Sequence, residues 1–218
     1  MAQPADHRTS ESAAPHRAWL GALAAVLVVG GAMASWQILQ ARGTPSVSPG
    51  RIAEQHAMGP ADAPVTIVEY GDFDCTTCLA FYRSGIIDRI LEAYPGKVRF
   101  VFRNMPIITA ASPALAEAAE CAADQGAFWR FYNTLYQRAP TQPSQMKGVA
   151  GQLGLDTRAF DTCYDSRRYA GLVKAETQEA YSHGFQATPA FLVNGTALGG
   201  PPSYAELSEL VQEKIANP

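Results

Sequence analysis

Cys75-Thr76-Thr77-Cys78 is the segment of this sequence with the most chemistry in it. Thiols three residues apart on a helix lie close enough to close a disulfide ring, and such a dithiol exchanges electrons with other thiols. The thiolate is the attacking species, so a reactive cysteine needs a lowered pKa. Position can lower it here. Val65-Thr66-Ile67-Val68-Glu69-Tyr70 is β-branched and nearly all apolar, which suits a strand buried on both faces. It runs into the turn Gly71-Asp72-Phe73-Asp74, where Asp74 is the candidate N-cap of a helix carrying the cysteines. Free N–H groups and the helix dipole favour an anion at that start. On this reading Cys75 faces solvent as the nucleophile and Cys78, one turn deeper, is the resolving thiol. The other uses of such a pair are a structural disulfide and half of a zinc site. Zinc needs a second Cys or His pair at suitable spacing, which Cys121, Cys163 and the scattered histidines do not supply.

The elements that must position this pair follow from pattern. Leu79, Tyr82, Ile86, Ile87, Ile90 and Leu91 mark one broad helical face, stopped by Pro95-Gly96. Lys97 to Arg103 alternates as a second strand, completing a βαβ unit. A helical block follows: Ser112-Pro113 to about Gln125, a face at Phe128, Phe131, Tyr132, Leu135 and Tyr136, then about 144–153, 156–164 and 167–183. The cluster Phe128, Trp129, Phe131 and Tyr132 reads as core, and His183 as a residue at a helix C-terminus. Ala190 to Val193 is a strand, Asn194-Gly195 a tight hairpin turn, Thr196 to Leu198 the return strand. After Gly199-Gly200-Pro201-Pro202 a helix capped by Ser203 closes the fold at Ala216. Asp72 and Asp74 read as cap and surface charges.

Composition narrows the class. The 218 residues are 47% hydrophobic and 17% charged, with net charge -3. That is enough apolar material for a core, and no basic stripe marks a nucleic-acid binder. From Ala18 to Ala41 no residue is charged, and Arg8 and Arg17 precede the run. The run is just long enough to cross a bilayer, with the N-terminus left in the cytoplasm. Ala32-Met33-Ala34 also fits a signal-peptidase site, so residues 1–41 read as an uncleaved anchor or a cleaved signal. Either sends the rest of the chain outside the cytoplasm. Residues 42–63, rich in Gly and Pro, read as a linker, with His56 as solvated polar surface.

Residues 65–78, taken with Thr188-Pro189-Ala190-Phe191-Leu192-Val193-Asn194-Gly195 downstream, resemble the DsbA-like thiol:disulfide oxidoreductases. The two motifs stand in that family's order and separation. The resemblance implies an α/β thioredoxin fold over residues 64–216, with a helical domain inserted at about 111–183. It implies that Pro189 is a cis-proline facing Cys75, and that the backbone at Thr188 and Pro189 binds an extended substrate peptide. Glu69 is a carboxylate inside an apolar strand, costly to bury unless it has work to do. The family pattern places a buried acid there, beneath the resolving cysteine, and on this reading Glu69 helps to move a proton to or from Cys78; a strand-end Glu reaching water is the alternative. Cys121 and Cys163 would pair in an oxidising compartment, as in some relatives, or else pack as buried free thiols. One departure stands out. Many members carry Pro or His between the cysteines, where this chain has Thr76 and Thr77, and hydroxyls offer only neutral hydrogen bonds.

The expectation is a monomeric extracytoplasmic thiol:disulfide oxidoreductase that needs no cofactor, metal or nucleic acid. It would pass its Cys75–Cys78 disulfide to reduced or misoxidised secreted proteins. A membrane quinone-linked protein would reoxidise it, as the resemblance implies. A reductase or isomerase, and a non-catalytic copper carrier, are the alternatives.

Overall fold

A computed structural model describes residues 56–138 and 142–217. The apolar segment read as an anchor or signal, and the linker up to residue 55, lie outside the described residues. Among the described residues no helix is long and apolar enough to cross a membrane.

The strands are β1 (Ala57–Met58), β2 (Val65–Gly71), β3 (Val98–Asn104), β4 (Ala190–Val193) and β5 (Thr196–Leu198). The helices are α1 (Thr76–Ser84), α2 (Ile86–Ala93), α3 (Ser112–Ala123), α4 (Phe128–Gln137), α5 (Met146–Gln152), α6 (Thr157–Asp165), α7 (Ala170–Ser182) and α8 (Tyr204–Ala216). The strands form one five-stranded sheet in the order β1-β3-β2-β4-β5. β2 and β3 are parallel, joined through α1 and α2, and β4 runs antiparallel to β2. The helices α3 to α7 all lie between β3 and β4 in sequence.

Local chemistry explains the joints that read cleanly. At the β4–β5 turn Asn194 and Gly195 have φ of 44° and 81°, the positive values that such a two-residue turn requires. The Asn194 side chain then accepts from the Thr66 N–H at 2.7 Å and donates to the Pro64 carbonyl at 2.9 Å, tying the hairpin to the start of β2. Ser203 caps α8 through a reciprocal pair with Glu206.

Three expectations change. The helix expected across residues 79–91 is two helices, because Gly85 between them takes φ 63°. The end of the stretch read as linker belongs to the sheet: Ala57 and Met58 pair with Val101 and Phe100. His56 is fully buried instead of solvated, stacked on Phe128 with ring centroids 3.9 Å apart. Its Nε2 lies 3.1 Å from Glu120 Oε2. A two-residue strand has no readable period, and an isolated histidine acquires such partners only through tertiary packing.

Strand alternation assigns the two faces. Val65, Ile67 and Glu69 point to one side of β2, while Val68 and Tyr70 point to the other. The first side carries the main core, which includes Cys75, Cys78, Phe81, Phe102 and the aromatic residues of α4. The second carries a smaller cluster of Tyr70, Met105, Ala180, Phe185, Ala190 and Leu192. Period two therefore sends the Glu69 carboxyl into the layer that holds Cys78.

Candidate active site

Cys75 itself is the N-cap of α1, in place of the Asp74 expected from sequence. Its Sγ accepts from the Cys78 backbone N–H at 3.3 Å, so the sulfur does the work of a capping oxygen. On its other side Sγ lies 3.3 Å from the Thr188 carbonyl oxygen. The Thr188-Pro189 bond is cis, which brings that carbonyl back against the helix start. The Thr188 hydroxyl is buried and in no well-formed hydrogen bond, yet it favours the Cys75 thiolate. Both cysteines of the pair are free thiols.

The two thiols are pushed apart in acidity. Hydrogen bonding from the Cys78 thiol, then from the Thr188 side chain and the backbone N–H groups of Cys78 and Thr77, outweighs desolvation and lowers Cys75 to about 5. Thr76 and Thr77 are exposed, so their hydroxyls are not what stabilises the sulfur. Burial, the hydrogen bond to Cys75 and the nearby Glu69 carboxylate push Cys78 far up. One sulfur is thus a thiolate at neutral pH and the other a thiol.

Glu69 is buried, and its Oε2 has no hydrogen-bond partner. Burial first, and the charge on Cys75 second, raise its carboxyl to about 8. A cavity of about 400 Å³ opens beside it, walled in part by Tyr82, Trp129, Tyr132 and Asn133. Gly71, two residues on, leaves room for this arrangement. A Cβ there would meet the Phe102 ring at 2.4 Å and Glu69 Oε1 at 3.3 Å.

Asp72 is the site residue that the sequence reading misplaced. It is 1% exposed, not a surface charge. Its Oδ1 accepts from the Asp74 N–H at 2.8 Å, and its Oδ2 accepts from the N–H groups of Ile107 and Ile108, each at 2.8 Å. Its carbonyl accepts from the Cys75 N–H at 3.2 Å and from the Tyr136 hydroxyl at 3.3 Å. The carboxylate therefore stitches the turn before the nucleophile to the loop after β3. Two aspartates in one turn were the only local signal. Which of them turns inward is decided by a loop more than thirty residues away.

Cys121 on α3 and Cys163 on α6 form a disulfide, with S–S 2.02 Å and Cα–Cα 5.8 Å. Among the described residues no group of three or more His, Cys, Asp or Glu is arranged to hold a metal ion.

Comparison with known proteins agrees with this geometry. A Na(+)/H(+) antiporter NhaA 3 of Salinispora tropica is 34% identical over 165 residues, or 74% of this chain. The match covers 25% of the antiporter, so the chain spans about a quarter of that relative's length. Disulfide bond formation protein D of Bacillus subtilis is 28% identical over 175 residues, covering 75% of this chain and 78% of that protein. The crystal structure of oxidised BdbD from Bacillus subtilis superposes with a TM-score of 0.68 at 26% identity, covering 76% of this chain and 95% of that one. Wolbachia pipientis alpha-DsbA1 shares the fold, with a TM-score of 0.64 at 19% identity over 74% of this chain and 90% of that one. Residues 52–213 match the family described as Thioredoxin, so the chain belongs to the thioredoxin family and, with this fold, is a DsbA-like member of it.

Proposed function

We propose that this protein is a thiol:disulfide oxidoreductase that works as an oxidase, donating a Cys75–Cys78 disulfide to reduced secreted proteins. The observation that carries this reading is the thiolate-stabilising cap. A Cys75 pKa of about 5 means that the reduced protein holds a stabilised anion at neutral pH. Stabilising the reduced form makes the disulfide a stronger oxidant.

The exchange runs in two displacements. A client thiolate attacks Cys75 Sγ, the Cys75–Cys78 bond breaks, and Cys78 leaves with the electron pair. Its high pKa then demands a proton, which Glu69, still protonated below about 8, donates. A second client thiolate attacks the client sulfur of the mixed disulfide, and Cys75 departs as the capped thiolate. The client has lost two electrons, which now reside on Cys75 as thiolate and Cys78 as thiol; of its two protons, one goes to water and the other replaces, by way of water, the proton that Glu69 gave to Cys78. The Thr188 and Pro189 backbone, lying against Cys75, is the surface on which an extended client strand would bind.

The oxidising direction fits an extracytoplasmic location, anchored or secreted through residues 1–41. The buried Cys121–Cys163 disulfide supports that compartment. Reoxidation by a membrane quinone-linked protein completes the cycle and follows from the DsbA-like resemblance.

The test is the reduction potential of the Cys75–Cys78 pair against glutathione. The oxidase reading expects a value well above the roughly -270 mV of thioredoxin, toward about -120 mV. A value at or below that of thioredoxin overturns it in favour of a reductase.

A further inference from the structure

Glu69 is a buried carboxyl that lacks a cation. Burial and the Cys75 charge set its acidity, with no positive group to offset them, and its Oε2 has no hydrogen-bond partner. An ionised carboxyl in such a place is costly until a cation joins it. The cavity of about 400 Å³ that Glu69 helps to wall is of a size that takes a small molecule. Three aromatic side chains, Tyr82, Trp129 and Tyr132, share that wall. The Tyr132 ring meets Tyr82 at 5.7 Å and 69°, and Trp129 at 5.1 Å and 68°. The rings are thus set steeply to one another, and aromatic faces attract cations. Trp129 Nε1 is buried without a partner, so a second unmet polar atom, this one a donor, belongs to a residue of the same wall. Arg83 and Asp88 complete the lining as exposed charges, one of each sign. Those two offset each other, and the buried carboxyl decides which charge the cavity favours.

We propose that this cavity binds a small organic cation, an ammonium with apolar substituents and a hydrogen-bond acceptor, held by the Glu69 carboxylate, the three aromatic rings and the Trp129 N–H. The cation takes the place of the Glu69 proton, which goes to water. A Glu69 held in this way has no proton for the departing Cys78, so the bound ligand slows disulfide donation. That last step rests on the exchange reading above; the binding itself does not.

The experiment uses the full chain, oxidised, so that neither Cys75 nor Cys78 titrates. Choline is the probe, and 3,3-dimethylbutan-1-ol, with the same shape and hydroxyl but no charge, is the control. Calorimetry at about pH 6.5, below the Glu69 value of about 8, in two buffers of different ionisation heat counts the protons released. Besides the cysteines, the groups facing Glu69 are Tyr82 and Arg83 on α1, Asp88 on α2, and Tyr132 and Tyr136 on α4; Met58 of β1 and Phe100 of β3 are apolar. Burial pushes both Tyr132 and Tyr136 up, so they stay neutral. Choline should release about one proton and bind at least about tenfold more tightly than the alcohol. Glu69→Gln and Trp129→Leu should each weaken it by about tenfold, with no proton released in Glu69→Gln. Saturating choline should slow single-turnover oxidation of a reduced dithiol peptide by about tenfold in the unaltered protein, and not in Glu69→Gln. No choline binding, equal binding of the alcohol, binding without proton release, or binding indifferent to both variants overturns the site. Choline bound as expected without slowing the exchange overturns the last step alone. If no form of the protein oxidises the peptide, the exchange reading fails, and the calorimetry still decides the site.

Discussion

The chain carries two cysteine pairs with opposite designs. Cys75 and Cys78 are separated by three residues at a helix start, free, and pushed apart in acidity. Cys121 and Cys163 are 42 residues apart in the middle of two packed helices, both sulfurs buried and bonded to each other. The residue type is the same in both. What differs is whether a sulfur sits where backbone N–H groups are unpaired. Cys75 is the cap of α1 and takes up those donors, so it is stabilised as an anion. Cys121 lies inside α3, where every backbone donor is already spent on the helix and no thiolate would find support.

The difference is broken most severely by removing the capping sulfur. Cys75→Ser is expected to abolish peptide oxidation, a loss of more than about a thousandfold, since a serine hydroxyl is not ionised at neutral pH. Replacing both Cys121 and Cys163 by Ala should leave the exchange rate within a few-fold and act on stability instead. Closing a loop of 42 residues corresponds to about 4 kcal/mol in the chain-entropy picture, read as a lowered denaturant midpoint. Exchange activity lost in the double Ala variant while it remains folded would show that the two pairs are not independent. A mild glutathione buffer should likewise reduce the Cys75–Cys78 pair first, giving two alkylated thiols per chain and not four.

The sequence disclosed the features that are local and concealed those that are not. Cys75-Thr76-Thr77-Cys78 after an apolar strand, Asn194-Gly195 between two short strands and Ser203 before a helical run each act through neighbours in the chain. Their roles in the fold can be read a few residues at a time. Glu69 is half legible: its place in an apolar strand hints at burial, and strand alternation tells which layer it enters. Asp72, His56 and Gly85 are different. Nothing near Asp72 in the chain announces the Ile107 and Ile108 donors, which arrive from beyond β3. Nothing near His56 announces Glu120 or Phe128. The Thr76 and Thr77 side chains, standing where other members carry Pro or His, take no part in lowering the Cys75 pKa. The sulfur is held by Cys78, Thr188 and backbone N–H groups, none of which depends on the identity of residues 76 and 77.

A subtler contrast lies inside the reactive pair's own surroundings, where two titrations oppose each other. Cys75 is lowered to about 5 in the folded reduced protein, against about 9 for an ordinary thiol. Between those values the folded state has released a proton that the unfolded chain keeps, so stability rises with pH. Glu69 is raised to about 8 from 4.5, so over that window the folded state keeps a proton the unfolded chain has lost, and stability falls with pH. From about pH 5 to pH 8 the two slopes offset, and the reduced protein should show a nearly flat pH profile of denaturant stability. Glu69→Gln removes one of them. The variant should then gain stability with rising pH, by up to about 1.4 kcal/mol per pH unit. It should also slow the proton-dependent departure of Cys78. A flat profile in Glu69→Gln would mean that the carboxyl does not titrate against the thiolate.

The smallest effect tests how the thiolate is divided among its donors. Thr188 sits before the cis-proline with its hydroxyl buried and in no well-formed hydrogen bond. Thr188→Val keeps the shape and removes the hydroxyl. The Cys75 thiolate then loses the stabilisation that the Thr188 side chain gives it, while the hydrogen bonds from Cys78 and the backbone remain. Its pKa should rise by about one unit, seen as a shift in the ultraviolet titration of the thiolate or in the pH dependence of alkylation. Because the reduced form is stabilised less, the pair should also become less oxidising by about 30 mV. The two readouts must move together. A pKa that rises while the potential stays fixed would mean that Thr188 acts on the disulfide as strongly as on the dithiol. A pKa that does not move would assign the low pKa to the Cys78 thiol and the backbone N–H groups of the helix start.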